Sequence, residues 1–224
     1  MRQFSKEELK EILKKHTMWL QNEKGGECAN LYDADLINEN FKGKDLNLIS
    51  LSGANLTGTN LQGATLNGAF LKEVNFTDAN LKDANLQAIL THANLSRANL
   101  TGANLEEANL VGANMTEANA TRSKFTDANL EGAILRRAIL ENANFIFANL
   151  KGADLSGANL KHANFYQADL TGANLMDANL TYAVLDMANL TNANLENADL
   201  TKTQLWGTKL EGVNLKGVKN FLKR

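Results

Sequence analysis

Three histidines, one cysteine and twenty-five carboxylates are the side chains of this 224-residue chain that could bind a metal, attack a carbonyl or transfer a proton. Their spacing is unfavourable for all three. His16, His92 and His162 lie 76 and 70 residues apart, and no histidine falls within ten residues of Cys28. A metal centre or an activated thiol needs several such groups converging on one point. General acid–base work needs a cleft that moves a pKa. Whether distant residues meet is decided by the elements between them.

The chain is 44% hydrophobic and 21% charged, the balance of a globular protein, and contains no proline. No apolar stretch approaches twenty residues, and MRQFSKEELK has neither the apolar run nor the cleavage site of a secretory signal, so the expectation is a cytoplasmic protein with no membrane contact. The single cysteine cannot form an internal disulfide. Net charge is −2, but residues 1–24 hold six basic and four acidic groups, residues 201–224 six and one, and residues 25–200 eleven and twenty. An acidic body argues against direct nucleic-acid binding.

From Ala29 the sequence repeats ANLxx: ANLYD, ADLIN, ANLTG, ANLKD and so on to VNLKG, twelve units from Leu31 to Leu86 and twenty-six from Leu90 to Leu215. A period of five fits neither a helix nor a strand and signals a solenoid. Leu and the Ala two positions before it point inward, while the other three residues face water. Each buried Leu contributes roughly 1.5–3 kcal/mol. Fourteen of the sixteen glycines occupy the last slot, shared with Asn and Asp, where a type II turn requires positive φ.

These tandem AxLxx units, over about 185 residues, resemble the pentapeptide-repeat family. The resemblance implies an all-β solenoid: a right-handed quadrilateral β-helix, four units per coil, here with an N-terminal capping α-helix. At about 4.8 Å per coil, nine and a half coils give a rod of roughly 45 Å. Phe125, Phe145 and Phe165 replace Leu at twenty-residue spacing, as an internal aromatic stack would require. Ala120, the one small residue in a large inward slot, is flanked by the bulkier Met115 and Phe125.

One unit is short: Leu86 to Leu90 is four residues, not five. If only a turn residue is missing, Asp78, Arg97, Glu117 and Arg137 fall in one outward column of alternating charge. That alternation predicts a tightened corner between Gln87 and Ala88 with register kept.

Three segments follow. Residues 1–26 are a capping helix and linker, 27–217 the β-helix, and 218–224 a tail or short cap with Val218, Phe221 and Leu222 available for contact. Ser5 with Glu8 reads as a capping box and Phe4 can staple to Leu9. Leu9, Ile12, Leu13, His16, Trp19 and Leu20 share one helical face before Gly25 and Gly26 end it. Glu39 and Lys44 occupy small inward slots, which predicts an imperfect first coil.

On that layout His92 and His162 fall on opposite sides of the coil, Cys28 reads as a buried or spectator thiol, and a convex rod offers no cleft. The expectation is no enzyme activity, no metal and no cofactor. One surface feature stands out. Ile146, Tyr166, Asp186 and Trp206 form an outward column beside Phe147, Gln167, Met187 and Gly207, with Val184 on the same side and Tyr182 at the adjoining corner. Ile146, Phe147, Tyr166, Tyr182, Val184, Met187 and Trp206 therefore read as an interface, for a partner protein or a homodimer, with Trp206 and Tyr166 as anchors. The resemblance supplies a second reading, since some family members modulate type II DNA topoisomerases by mimicking duplex DNA. The outward charges sum to about −2, −2, +2 and −4 on the four sides, well short of duplex density.

Overall fold

The structure, a computed structural model, describes residues 1–220. Alternation of one large and one small inward residue every five positions leaves too little chain for extended strands. The body is instead a ladder of single-residue parallel bridges, each joining a residue to the one twenty further on: Asn30 to Ser50, Asp35 to Asn55, Asn40 to Asn60, Asp45 to Thr65. Four such columns define four sides. The fourth is centred on Leu46, Leu66, Leu86, Leu105, Phe125, Phe145, Phe165, Leu185 and Leu205.

Each unit sends two N–H groups to the next coil and one to the previous coil. Leu100 N–H donates to Asn119 O at 2.6 Å, Gly102 N–H to Thr121 O at 2.9 Å, and Asn99 N–H back to Ala79 O at 2.9 Å. Between sides the chain turns through a bond such as Ala84 N–H to Leu81 O at 3.1 Å, with Asp83 at φ 56°. The outward Asn adds a side-chain ladder. Asn75 Nδ2 donates to Asn55 Oδ1 at 3.3 Å, while Asn75 Oδ1 accepts the Thr77 N–H at 3.1 Å. The repeated amide is thereby used up in holding turns and coils.

Inside, Leu and Ala form one continuous core from Ala29 to Leu200. Phe125, Phe145 and Phe165 stack with ring centroids 4.6 and 4.8 Å apart and planes within 5° and 3° of parallel. Ala120, Met115 and Phe125 lie buried in the same coil, and Ser123 donates its hydroxyl to Ala120 O.

At the short unit, Asn85 still bridges Asn104 and Ile89 still bridges both Phe70 and Asn109, so the ladder shifts from a spacing of twenty to nineteen and back. Neither Gln87 nor Ala88 takes positive φ. The missing residue is the one whose N–H would bind the Glu106 carbonyl, which has no ladder donor among the described residues. Register survives: Arg97 makes a bidentate pair with Asp78, 2.8 Å for each bond, and Arg137 lies 3.9 Å from Glu117.

One helix, α1 (Lys6–Leu20), lies across the first coil. Its capping box forms, Ser5 Oγ accepting the Glu8 N–H at 3.1 Å and Glu8 Oε2 the Ser5 N–H at 2.7 Å. Leu9 and His16 are buried, with Phe4, Ile12 and Leu13 packed against the core. The helix stops earlier than its glycines suggest, at Gln21, because Asn22 turns into the left-handed region at φ 57°. Ahead of the helix, Arg2 adds one more rung to the open edge: its N–H donates to Asp33 O and its carbonyl accepts the Asp35 N–H, both at 2.8 Å. The first coil is open on the far side of α1, where half-buried Glu39 and exposed Lys44 line a groove of about 830 Å³ with Lys10 and Lys14. At the other end Lys219 still bridges Asp199 and Val218 packs on the core, whereas Phe221 and Leu222 lie outside the described residues. No helix among the described residues is long and apolar enough to cross a membrane.

His16 ties the cap to the coil. Its Nδ1 accepts the Ala29 N–H at 3.2 Å, and its ring stacks on Trp19 with centroids 5.8 Å apart. Burial pushes its pKa below the ordinary value, against the opposing pull of the Asn47 backbone and the Asp45 carboxylate. The unfolded chain therefore takes up this proton first, starting near pH ~6.5. His16 contributes its full stability above that pH, and the contribution is lost as pH falls towards the depressed folded value. The thermal midpoint should fall between pH about 7.5 and about 5.5, and His16→Gln, which does not titrate there, should remove most of that fall. An equal drop in both proteins would show that other groups carry it.

Candidate functional site

The chemistry-bearing residues stay apart. His92 occupies a corner of the first side, its ring beneath Gly112, where an added Cβ would meet Nδ1 at 2.4 Å. His162 occupies the opposite corner column, stacked on Tyr182 with centroids 4.9 Å apart. Cys28 is exposed, so of the two readings, buried or spectator thiol, the buried one is overturned. It contacts the Leu48 carbonyl at 3.6 Å, and partial desolvation raises its pKa, away from the reactive thiolate. Among the described residues no three His, Cys, Asp or Glu side chains come together as a metal site would require.

The apolar residues do gather. The bridges Asn144 to Asn164, Asn164 to Val184 and Val184 to Gln204 run up the middle of the fourth side. One margin of that strip carries Ile146, Phe147, Tyr166, Met187 and Trp206, and the other carries His162, Tyr182 and Lys202. Ile146 and Val184 are half-buried, packed among their neighbours. Phe147, Tyr166, Tyr182, Met187 and Trp206 are exposed, Phe147 by 50% and Trp206 by 73%. The margins are therefore aromatic ridges and the strip between them a lower floor.

Specific contacts fix the ridges. Phe147 meets Tyr166 edge to face, centroids 6.2 Å apart at 70°. The Asp186 carboxylate accepts the backbone N–H of Trp206 at 2.8 Å, and Met187 fills the space that a side chain at position 207 would need, its Sδ 2.5 Å from a Cβ built on Gly207. On the other ridge Lys202 donates to the Tyr182 hydroxyl at 3.0 Å and lies 4.9 Å from its ring centroid. That hydrogen bond first, then the charges of Lys202 and Lys161, hold the Tyr182 pKa below the usual phenol range. His162, Tyr182 and Lys202 thus form one stack. Sequence reasoning named only the tyrosine, although His162 and Lys202 share its turn slot at twenty-residue spacing.

Other exposed large apolar residues, Tyr32, Ile37, Leu48, Phe70, Ile89 and Ile139, are spread over the rest of the rod, singly or as the bridged pair Phe70 and Ile89. Some carboxylates are paired from coil to coil: Asp154 with Arg136 at 2.5 Å, Glu196 with Lys216 at 2.8 Å and Asp169 with Lys151 at 3.3 Å.

The family model described as Pentapeptide repeats matches residues 29–68, 50–88, 88–127, 123–161, 158–197 and 178–217. Among solved structures, the chain is similar to HetL, a pentapeptide repeat protein involved in heterocyst differentiation regulation from the cyanobacterium Nostoc sp., at 29% identity over 96% of each chain with a TM-score of 0.34. It is 18% identical to QnrB1, a plasmid-mediated fluoroquinolone resistance protein, over 86% of this chain and 91% of that one, with a TM-score of 0.49. A pentapeptide repeat protein of the cyanobacterium Cyanothece is 38% identical over 45% of this chain and 63% of that one, with a TM-score of 0.26. No curated protein matches.

Proposed function

The chain belongs to the pentapeptide-repeat family, and from that premise we propose that its coil is the family's right-handed four-sided β-helix, serving as a non-enzymatic scaffold that docks another protein on its fourth side. The observation that supports this reading is the contiguous exposure of Phe147, Tyr166, Met187 and Trp206 opposite Tyr182. Exposed aromatics of this size are costly to leave in water and dominate binding energy when a partner covers them. DNA mimicry is the weaker reading: one column alternates Asp78, Arg97, Glu117 and Arg137, and even the most acidic side carries only about −4 over roughly 45 Å, far below one charge per about 1.7 Å of duplex.

Affinity capture from the native extract, with wild type beside a Tyr166→Lys, Trp206→Lys double variant, tests the reading. Proteins retained by wild type and released by the double variant are expected. An identical retained set would remove the fourth side from any docking role.

A further inference from the structure

Resting on that reading, we infer that the fourth side receives a proline-rich segment in polyproline II conformation with an acidic flank. The backbone leaves little choice. Along this side the N–H groups of the middle coils are already engaged: Phe145 donates to Asn164 O and Phe165 to Val184 O, both at 2.7 Å, while Ile146 and Tyr166 donate to the Oδ1 of Asn144 and Asn164 at 3.1 and 3.0 Å. Below the last coil a partner strand therefore has no edge to add to, and grip must come from side chains.

The spacing of those side chains selects the ligand. The exposed apolar residues alternate between the two outward columns coil by coil, Phe147, Tyr166, Met187 and Trp206, with half-buried Ile146 beside Phe147. Within a column they recur every second coil, Tyr166 to Trp206 and Phe147 to Met187, a rise of about 9.6 Å at β-ladder spacing. A polyproline II helix repeats every three residues, about 9.3 Å. Side chains on one face of a β-strand recur at about 6.6–6.8 Å, and one turn of α-helix rises about 5.4 Å, so neither keeps step with the ridge. Aromatic-walled troughs are the general receptor for proline-rich segments.

Polar groups agree. A proline-rich backbone offers carbonyls and few N–H groups, so its receptor must supply donors. The Tyr166 hydroxyl and the Trp206 indole N–H make no hydrogen bond among the described residues, and both can donate. Charge points the same way. Lys161 and Lys202 border the trough with no carboxylate at salt-bridge distance among the described residues. Within the trough the carboxylate of Asp186 accepts the Trp206 backbone N–H, and the fourth side's other carboxylates, Asp45, Glu106, Glu107 and Asp127, lie in the coils below Phe147. An acidic residue beside the proline repeat would meet those lysines.

The probe is a fluorescein-labelled peptide of about four Pro-x-x repeats ending in two glutamates, titrated with the full chain and read by anisotropy. Saturable binding below about 1 mM is expected. Trp206→Ala and Tyr166→Ala should each weaken it by at least about tenfold, and Phe70→Ala, on another side, should leave it unchanged. A peptide with glycine in place of every proline should bind at least about tenfold more weakly, because it must first be ordered. No anisotropy change at about 1 mM, equal binding by Trp206→Ala, or equal binding of the glycine peptide would each overturn the inference. So would a doubled sedimenting mass in wild type that Trp206→Lys halves, which assigns the side to a second copy. Partners captured through Tyr166 and Trp206 while the peptide stays unbound would keep the docking side and remove its proline-rich ligand.

Discussion

Phe145→Ala is expected to lower stability by about 3–5 kcal/mol, the range for emptying a large aromatic site in a packed core. Phe125, Phe145 and Phe165 are all fully buried. Their rings are parallel at 4.6 and 4.8 Å because each is carried one coil above the last. Phe145 touches a ring on both faces, whereas each outer phenylalanine touches one. The same truncation at 125 or 165 should therefore cost less than at 145, by roughly the 0.5–1.5 kcal/mol of one aromatic pair. Phe145→Leu puts the repeat's usual residue in that slot and should recover most of the loss. Guanidinium unfolding of the four variants checks this. Equal destabilisation by all three alanine variants would show that burial alone matters, and that the stack adds nothing.

The second large effect is expected at Gly26. Its φ is not left-handed, so conformational freedom is not why glycine sits there. The reason is a close approach: an added Cβ would lie 2.3 Å from Trp19 N, 2.5 Å from Trp19 Cα and 2.6 Å from Met18 C. Those are backbone atoms of α1 and cannot rotate aside. Gly26→Ala must push the end of the helix off the first coil, straining the His16 to Ala29 bond, at a cost of about 1–3 kcal/mol. Gly25→Ala is the contrast. Gly25 has φ 87°, and a Cβ there meets only Met18 Cε at 3.9 Å, so its penalty is the left-handed backbone alone, about 1 kcal/mol. Hydrogen exchange of the α1 amides should accelerate much more in Gly26→Ala than in Gly25→Ala. Faster exchange in Gly25→Ala would refute the close-approach account.

How well each region reads from sequence follows how often its pattern is repeated. The coil of twenty, the phenylalanine stack and the charged column through Arg97 were all legible, because each states its spacing several times. The tightened corner at Gln87 was legible by its failure to keep that spacing. The N-terminal region is used once and has no period to read. Nothing in MRQF announces that Arg2 will pair with Asp33 and Asp35. Nor does the helical pattern say that Asn22, and not a glycine, turns the chain, or that Gly26 is fixed by the Trp19 backbone. On the surface, Phe70, Ile89 and Ile139 stand in the slot normally held by Asn. There the ladder is kept by backbone alone, so the outward side chain is free to vary and the repeat does not predict it.

The skipped residue at Gln87 shows that a corner can lose a link while the coils on either side remain in phase. Height and heading are consequently separate variables in this molecule. Excising one complete coil would lower Tyr166 and Trp206 towards α1 by about 4.8 Å without rotating them, so the number of coils acts as a ruler between the two ends of the rod.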